Sequence, residues 1–124
     1  MSDSHPTNAE LAILQALWRR GPSTVREVCD EMGRSSGYTT VLKILQIMTQ
    51  KGLVQRDKSD RAHVYQARHS EEQIQRGLVN DLLTKAFRGS SQRLVMRALS
   101  AKPVSAEELA AIRKLIDEME DKAP

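Results

Sequence analysis

Thr39, Lys43, Gln46 and Gln50 recur at intervals of three and four residues, so at 100° per residue they fall on one side of a helix. All four side chains can form hydrogen bonds and the single charge among them is positive, a combination able to reach base edges and phosphates in a DNA groove. Val41, Ile44, Leu45 and Met48 fall on nearly the opposite side, which gives the same helix an apolar face for a core. The other chemistry-bearing residues offer less. Cys29 is the only cysteine and lies in a helical pattern without a neighbouring histidine, which reads as a small buried thiol rather than a nucleophile. His5, His63 and His69 share no ligand spacing with Cys29 or with one another, so neither a metal nor a cofactor is expected. No nucleophile with a base and no placed pair of carboxylates is present, and the chain reads as a binding protein and not as an enzyme.

The charge distribution supports that polar stripe. The formal net charge is only +3, but residues 34 to 68 hold seven cations (Arg34, Lys43, Lys51, Arg56, Lys58, Arg61, Arg68) against two anions (Asp57, Asp60). Residues 71 to 124 are balanced, with nine of each sign. A local basic excess of this kind suits a phosphate backbone. A winged-helix module that turns the same basic face to an acidic protein is the alternative, and it carries no dependence on DNA sequence.

The elements that must position these residues follow from caps and periodicity. Thr7 with Glu10 has capping-box spacing, and Leu11, Leu14, Leu17 and Trp18 continue a helix until Gly21 and Pro22. Thr24 with Glu27 opens a second, short helix carrying Val25, Val28, Cys29 and Met32 up to Gly33. Arg34 to Gly37 is turn chemistry, and a third helix is predicted over 38–51, with Gly52 as its stop. The period then changes. Residues 53–57 and 62–67 are short and rich in β-formers, and the Lys58 to Arg61 segment between them gives a hairpin with a basic tip. Three helices and a basic hairpin make a winged helix-turn-helix plan, in a chain that is mainly α.

Ser70 with Gln73 starts a longer helical stretch that carries Ile74, Leu78, Leu82 and Leu83 and leads to Phe87, before Gly89 breaks it. A helix over 92–99 includes Leu94, and Ser105 with Glu108 caps a last helix whose Leu109, Ile112, Ile116 and Met119 form a narrow seam. Helices of this length have too little chain of their own to cover such stripes, so a symmetric second copy is the expected partner. The expected organisation is a DNA-binding domain over 1–69 and a helical dimerisation region over 70–124, with the dimer formed by Leu78, Leu82, Phe87, Leu94, Leu109, Ile112, Ile116 and Met119. The sequence has no run of 18 apolar residues and no basic-then-apolar leader, which predicts a cytoplasmic protein without membrane insertion.

The order of these segments resembles the BlaI/MecI family of penicillinase repressors. The residues that carry the resemblance are LeuAlaIleLeuGlnAlaLeuTrp at 11–18, SerThrValArgGluVal at 23–28, TyrThrThrValLeuLysIleLeu at 38–45, LysGlyLeuVal at 51–54, ArgAlaHisValTyr at 61–65 and PheArgGlySerSer at 87–91. The resemblance implies a homodimeric repressor on a pseudo-palindromic double-stranded DNA operator. It turns Thr39, Thr40 and Lys43 towards the bases, beside the Gln46 of the helical stripe, and puts Arg61 in the wing. Lys58, Arg61, Arg20 and Arg34 are the expected phosphate contacts. It also implies a membrane-bound sensor protease system, through which relatives controlling β-lactamase genes are cleaved in the dimerisation region. The wing departs from the family pattern, with Asp60, His63 and Ala67 where Gly, Tyr and Pro are common. The chain ends in GluMetGluAspLysAlaPro, without the cysteine-rich tail of copper-responsive relatives.

Overall fold

The computed structural model describes residues 5–33, 37–59 and 63–124. Helix α1 (Asn8–Arg20) begins at a complete capping box, in which the Glu10 N–H donates to Thr7 Oγ1 and the Thr7 N–H donates to Glu10 Oε1. A two-residue strand β1 (Ser23–Thr24) leads directly into α2 (Val25–Met32), where Thr24 and Glu27 make the same reciprocal pair. Helix α3 (Tyr38–Lys51) starts after Gly37 without a side-chain cap. It ends on Gly52, whose left-handed φ of 81° lets the chain reverse so that the Leu53 N–H donates to Met48 O. Strands β2 (Val54–Asp57) and β3 (Val64–Ala67) are antiparallel, with Arg56 opposite Tyr65.

The hairpin expected from the sequence is present, but it belongs to a three-stranded sheet ordered β1-β3-β2. Ser23 pairs with Tyr65 and Thr24 with Val64. Two residues are too few to show alternation, and the capping role of Thr24 masks their pairing in the sequence.

The core of this part is built where α1, α2, α3 and the sheet meet. Ile13, Leu14, Val28, Val41, Leu45, Met48, Val54 and Tyr65 are all buried there. Leu11 and Trp18 of the expected α1 stripe are only half-buried, and Ile13, Ala16 and Glu10 are buried in addition to Leu14 and Leu17. Trp18 keeps its indole N–H satisfied by donating to His69 O at 3.0 Å. Cys29 is half-buried against the core, and that burial, with the Asp30 carboxylate adding to the effect, pushes its thiol pKa up.

Three further helices follow: α4 (Glu71–Ala86), α5 (Ser91–Ala101) and α6 (Ala106–Lys122). Ser70 and Gln73 cap α4 reciprocally, and the Ser105 hydroxyl accepts from the Glu108 N–H at the start of α6. Between α4 and α5 the chain turns through left-handed Arg88 and Gly89, the latter donating to Leu83 O at 2.8 Å. The molecule divides into two compact units, Met1–Asn80 and Asp81–Pro124. Among the described residues no helix is long and apolar enough to cross a membrane.

Candidate nucleic-acid interface

Helix α3 separates its two faces as its periodicity requires. Val41, Leu45 and Met48 are fully buried, whereas Thr39, Thr40, Lys43, Gln46 and Gln50 are exposed. Its first turn holds no acidic residue, so the positive end of the helix dipole stands without a neutralising carboxylate on its own chain segment. Thr49 is exposed on the same helix, but its hydroxyl donates to Leu45 O at 2.8 Å. Ile47, on the other hand, is 42% exposed, an apolar group of the kind that contacts thymine methyls.

The orientation of α3 is fixed at its far end by an ion pair. Lys51 Nζ lies 2.7 Å from Glu10 Oε1, the same oxygen that accepts the Thr7 N–H, so the last turn of α3 is tied to the first turn of α1. Burial pushes the Glu10 carboxyl up, but the Lys51 ammonium and the Thr7 N–H more than offset it, and the net pKa lies below the ordinary value of 4.5. Capping-box spacing identified Glu10 as a cap; it carried no signal for a partner forty-one residues away.

Beside the exposed face of α3 lies a groove of about 570 Å³, bounded by the first turns of α2 and α3 and by the sheet. Gln46 lines it together with Tyr38, Arg26, Arg56 and His63. The Arg26 guanidinium sits 5.7 Å from the centre of the Tyr38 ring, within cation–π range. Strand alternation puts Arg56 on the same side as buried Val54, and its Nε is buried with no hydrogen-bond partner among the described residues. Neither arginine stood out in the sequence, although a charged residue at an inward position of β2 is a signal that could have found Arg56.

The other expected contacts are distributed unevenly. Lys58 is exposed directly after β2, where Asp57 Oδ1 accepts the Ser59 N–H and shapes the start of the wing tip. That bond also lowers the Asp57 pKa. Arg20 is engaged within its own chain, at 3.5 Å from Glu27 and 3.8 Å from Glu31. Arg34, Arg61 and the wing departure at Asp60 lie outside the described residues. His63 is exposed at the groove, and Ala67 pairs with Val54 at the base of the hairpin.

Of the residues expected to cover a second copy, Leu78, Phe87, Leu94 and Ile112 are half-buried in the single chain, and Leu82, Leu109, Ile116 and Met119 are exposed. Val79, Val95, Met96 and Leu115 add to the exposed apolar surface, and none of the three C-terminal helices holds a fully buried residue.

Comparison with known proteins places these features in context. The family model described as penicillinase repressor matches residues 6–118. Two proteins called transcriptional regulator BlaI, from Mycobacterium tuberculosis strains CDC 1551 / Oshkosh and ATCC 25618 / H37Rv, are each 35% identical over 114 residues, which covers 90% of this chain and 82% of theirs. A solved structure of a MarR family protein from Bacillus stearothermophilus has a TM-score of 0.51 over 94% of this chain and 74% of its own, at 20% identity. That last likeness is one of fold.

Proposed function

Because the chain belongs to the penicillinase repressor family, we propose that it is a transcriptional repressor that occupies promoter DNA as a homodimer and catalyses no reaction. The observation that carries this reading is the separation of faces on α3: three core residues at full burial, with Thr39, Thr40, Lys43 and Gln46 open to solvent on the other side. A rigid helix held by its apolar face and by the Glu10–Lys51 pair can enter a major groove without losing its own packing. Thr39, Thr40, Lys43 and Gln46 read base edges in this scheme, and Lys58 and Arg61 of the wing hold phosphates. Arg34 is proposed as a further phosphate contact. Arg20 reaches a phosphate only by leaving its carboxylate partners, so it ranks behind the wing residues.

The helical region over 70–124 joins two copies, and the DNA-binding domain over 1–69 is thereby presented twice. Exposed Leu82, Leu109, Ile116 and Met119 support this, since a second copy would remove apolar surface from water. The two α3 helices then lie about 34 Å apart or a multiple of one helical turn, matching a pseudo-palindromic operator in the cytoplasm. Weakening the dimer releases the operator, because two linked attachments become two single ones. Cleavage within residues 87 to 105, triggered by a membrane-bound sensor protease system, would have that effect.

A gel-shift titration against the promoter region upstream of the chain's own gene, with random DNA as competitor, tests the reading. Retention of the promoter fragment under excess random competitor is expected. Equal competition by random DNA would favour a protein-interaction module or a sequence-independent binder.

A further inference from the structure

Arg56, which lines the groove between α3 and the sheet, carries the one buried side-chain nitrogen that finds no hydrogen-bond partner among the described residues, its Nε. Its backbone is fixed in β2 by pairing with Tyr65, itself buried, so the start of the side chain cannot drift away from the groove. A buried N–H is costly unless an acceptor completes its hydrogen bonding, and a guanidinium N–H bonds most strongly to an anion. Among the described residues the lining supplies no such group: it holds Arg26, Arg56 and His63 and no aspartate or glutamate. The second arginine, Arg26, is steadied over the Tyr38 ring at the start of α3.

We propose that this groove is a seat for one backbone phosphate of the DNA whose bases α3 reads, with Arg56 as its principal donor and Arg26 at its edge. The proposal rests on the functional reading above and adds a site to it. The planar guanidinium can present two parallel N–H groups to two phosphate oxygens, a geometry that an ammonium does not offer. Gln46 lines the same groove from the base-reading face of α3. A phosphate held by Arg56 would therefore fix where Gln46 and Lys43 stand along the duplex, since phosphate contacts set register and base contacts set sequence. Arg56 is a positioning residue that binds DNA without reading it.

The test is the salt dependence of binding to a promoter duplex and to a random duplex, measured for the wild-type chain, Arg56→Gln and Arg56→Lys. Loss of one phosphate contact is expected to make the log–log salt slope of Arg56→Gln shallower by about 0.9 and to weaken both duplexes roughly tenfold. Arg56→Lys retains the charge and should keep the slope while binding several-fold more weakly. The second measurement uses the wild-type protein and is independent of variant folding. The Arg56 Nε–H resonance, assigned by its disappearance in Arg56→Lys, should shift and exchange more slowly with water when duplex DNA is added. An unchanged slope in a folded Arg56→Gln, or an Nε–H resonance that DNA leaves unmoved, overturns the seat alone. A wild-type chain with no affinity for either duplex overturns the repressor reading and the seat with it.

Discussion

Lys43 and Lys58 carry the same charge and are both exposed, yet their positions assign them different work. Lys43 stands on the α3 stripe, so Lys43→Ala should alter sequence preference, with roughly 1–3 kcal/mol of discrimination lost at one base pair. Lys58 stands at the wing, so Lys58→Ala should weaken every sequence alike and make the salt slope shallower by about 0.9. Titration of operator variants and of random DNA at several salt concentrations separates the two; a Lys43→Ala chain that loses specific and random binding by one factor would contradict the assignment. Glu10 makes a different residue-scale case. Its folded pKa is depressed, so the stability it contributes is complete above its ordinary value of 4.5 and is lost as pH falls through the lower folded value. Glu10→Gln should cost about 1–3 kcal/mol at neutral pH, through the charged Lys51 left without its partner. It should also flatten this part of the acid denaturation profile, which denaturant melts between neutral pH and the acid limb would reveal. The α3 stripe was legible in the sequence because helical spacing alone sorts Thr39, Lys43 and Gln46 from Val41 and Leu45. Arg26 and the Glu10–Lys51 pair were not, because each depends on a neighbour brought close only by folding, and Arg56 was counted only within the basic excess although its inward place in β2 was a readable signal.

Elements are announced by their ends in this chain. Thr7 with Glu10, Thr24 with Glu27 and Ser70 with Gln73 all make the reciprocal bonds that their spacing predicts, and Ser105 makes its bond to the Glu108 N–H. Capping is local chemistry, so a sequence can show it. Strand β1 had no such announcement: its two residues become a strand only because β3 lies beside them. The stop after α3 is the most consequential of the ends, since it aims the chain from that helix into the wing. Gly52 has a φ of 81° and an added Cβ would meet nothing closer than 3.9 Å, so the penalty there is conformational rather than steric. Gly52→Ala should therefore lower stability by roughly 1–2 kcal/mol. Thermal melts compared with the wild type check the value, and a neutral effect would mean that the turn relaxes freely. The core side of α3 predicts a larger loss: Leu45→Ala should cost about 2–5 kcal/mol through the cavity left at a fully buried position.

At the scale of the whole molecule, the apolar surface of α4, α5 and α6 remains uncovered in a single chain. Met119 is 62% exposed and Leu115 is 55% exposed. Sequence periodicity identified these stripes, but it could not distinguish a face that packs within the chain from one that meets a copy; the exposure supports the second. A chain truncated after Ser100 loses α6 entirely, and should sediment as a monomer and bind promoter DNA poorly. Tight binding by such a monomer would remove the dimer from the mechanism. The central claim remains that the polar face of α3 selects DNA by its bases. It is tested most directly by selection from a pool of random duplexes, carried out in parallel with the wild-type chain and with a Lys43→Ala, Gln46→Ala variant. The wild type should enrich an inverted repeat whose half-sites lie about one helical turn or a multiple of it apart, and the variant should enrich a changed or degraded half-site at the same spacing. Enrichment of the same sequence by both proteins would contradict the account.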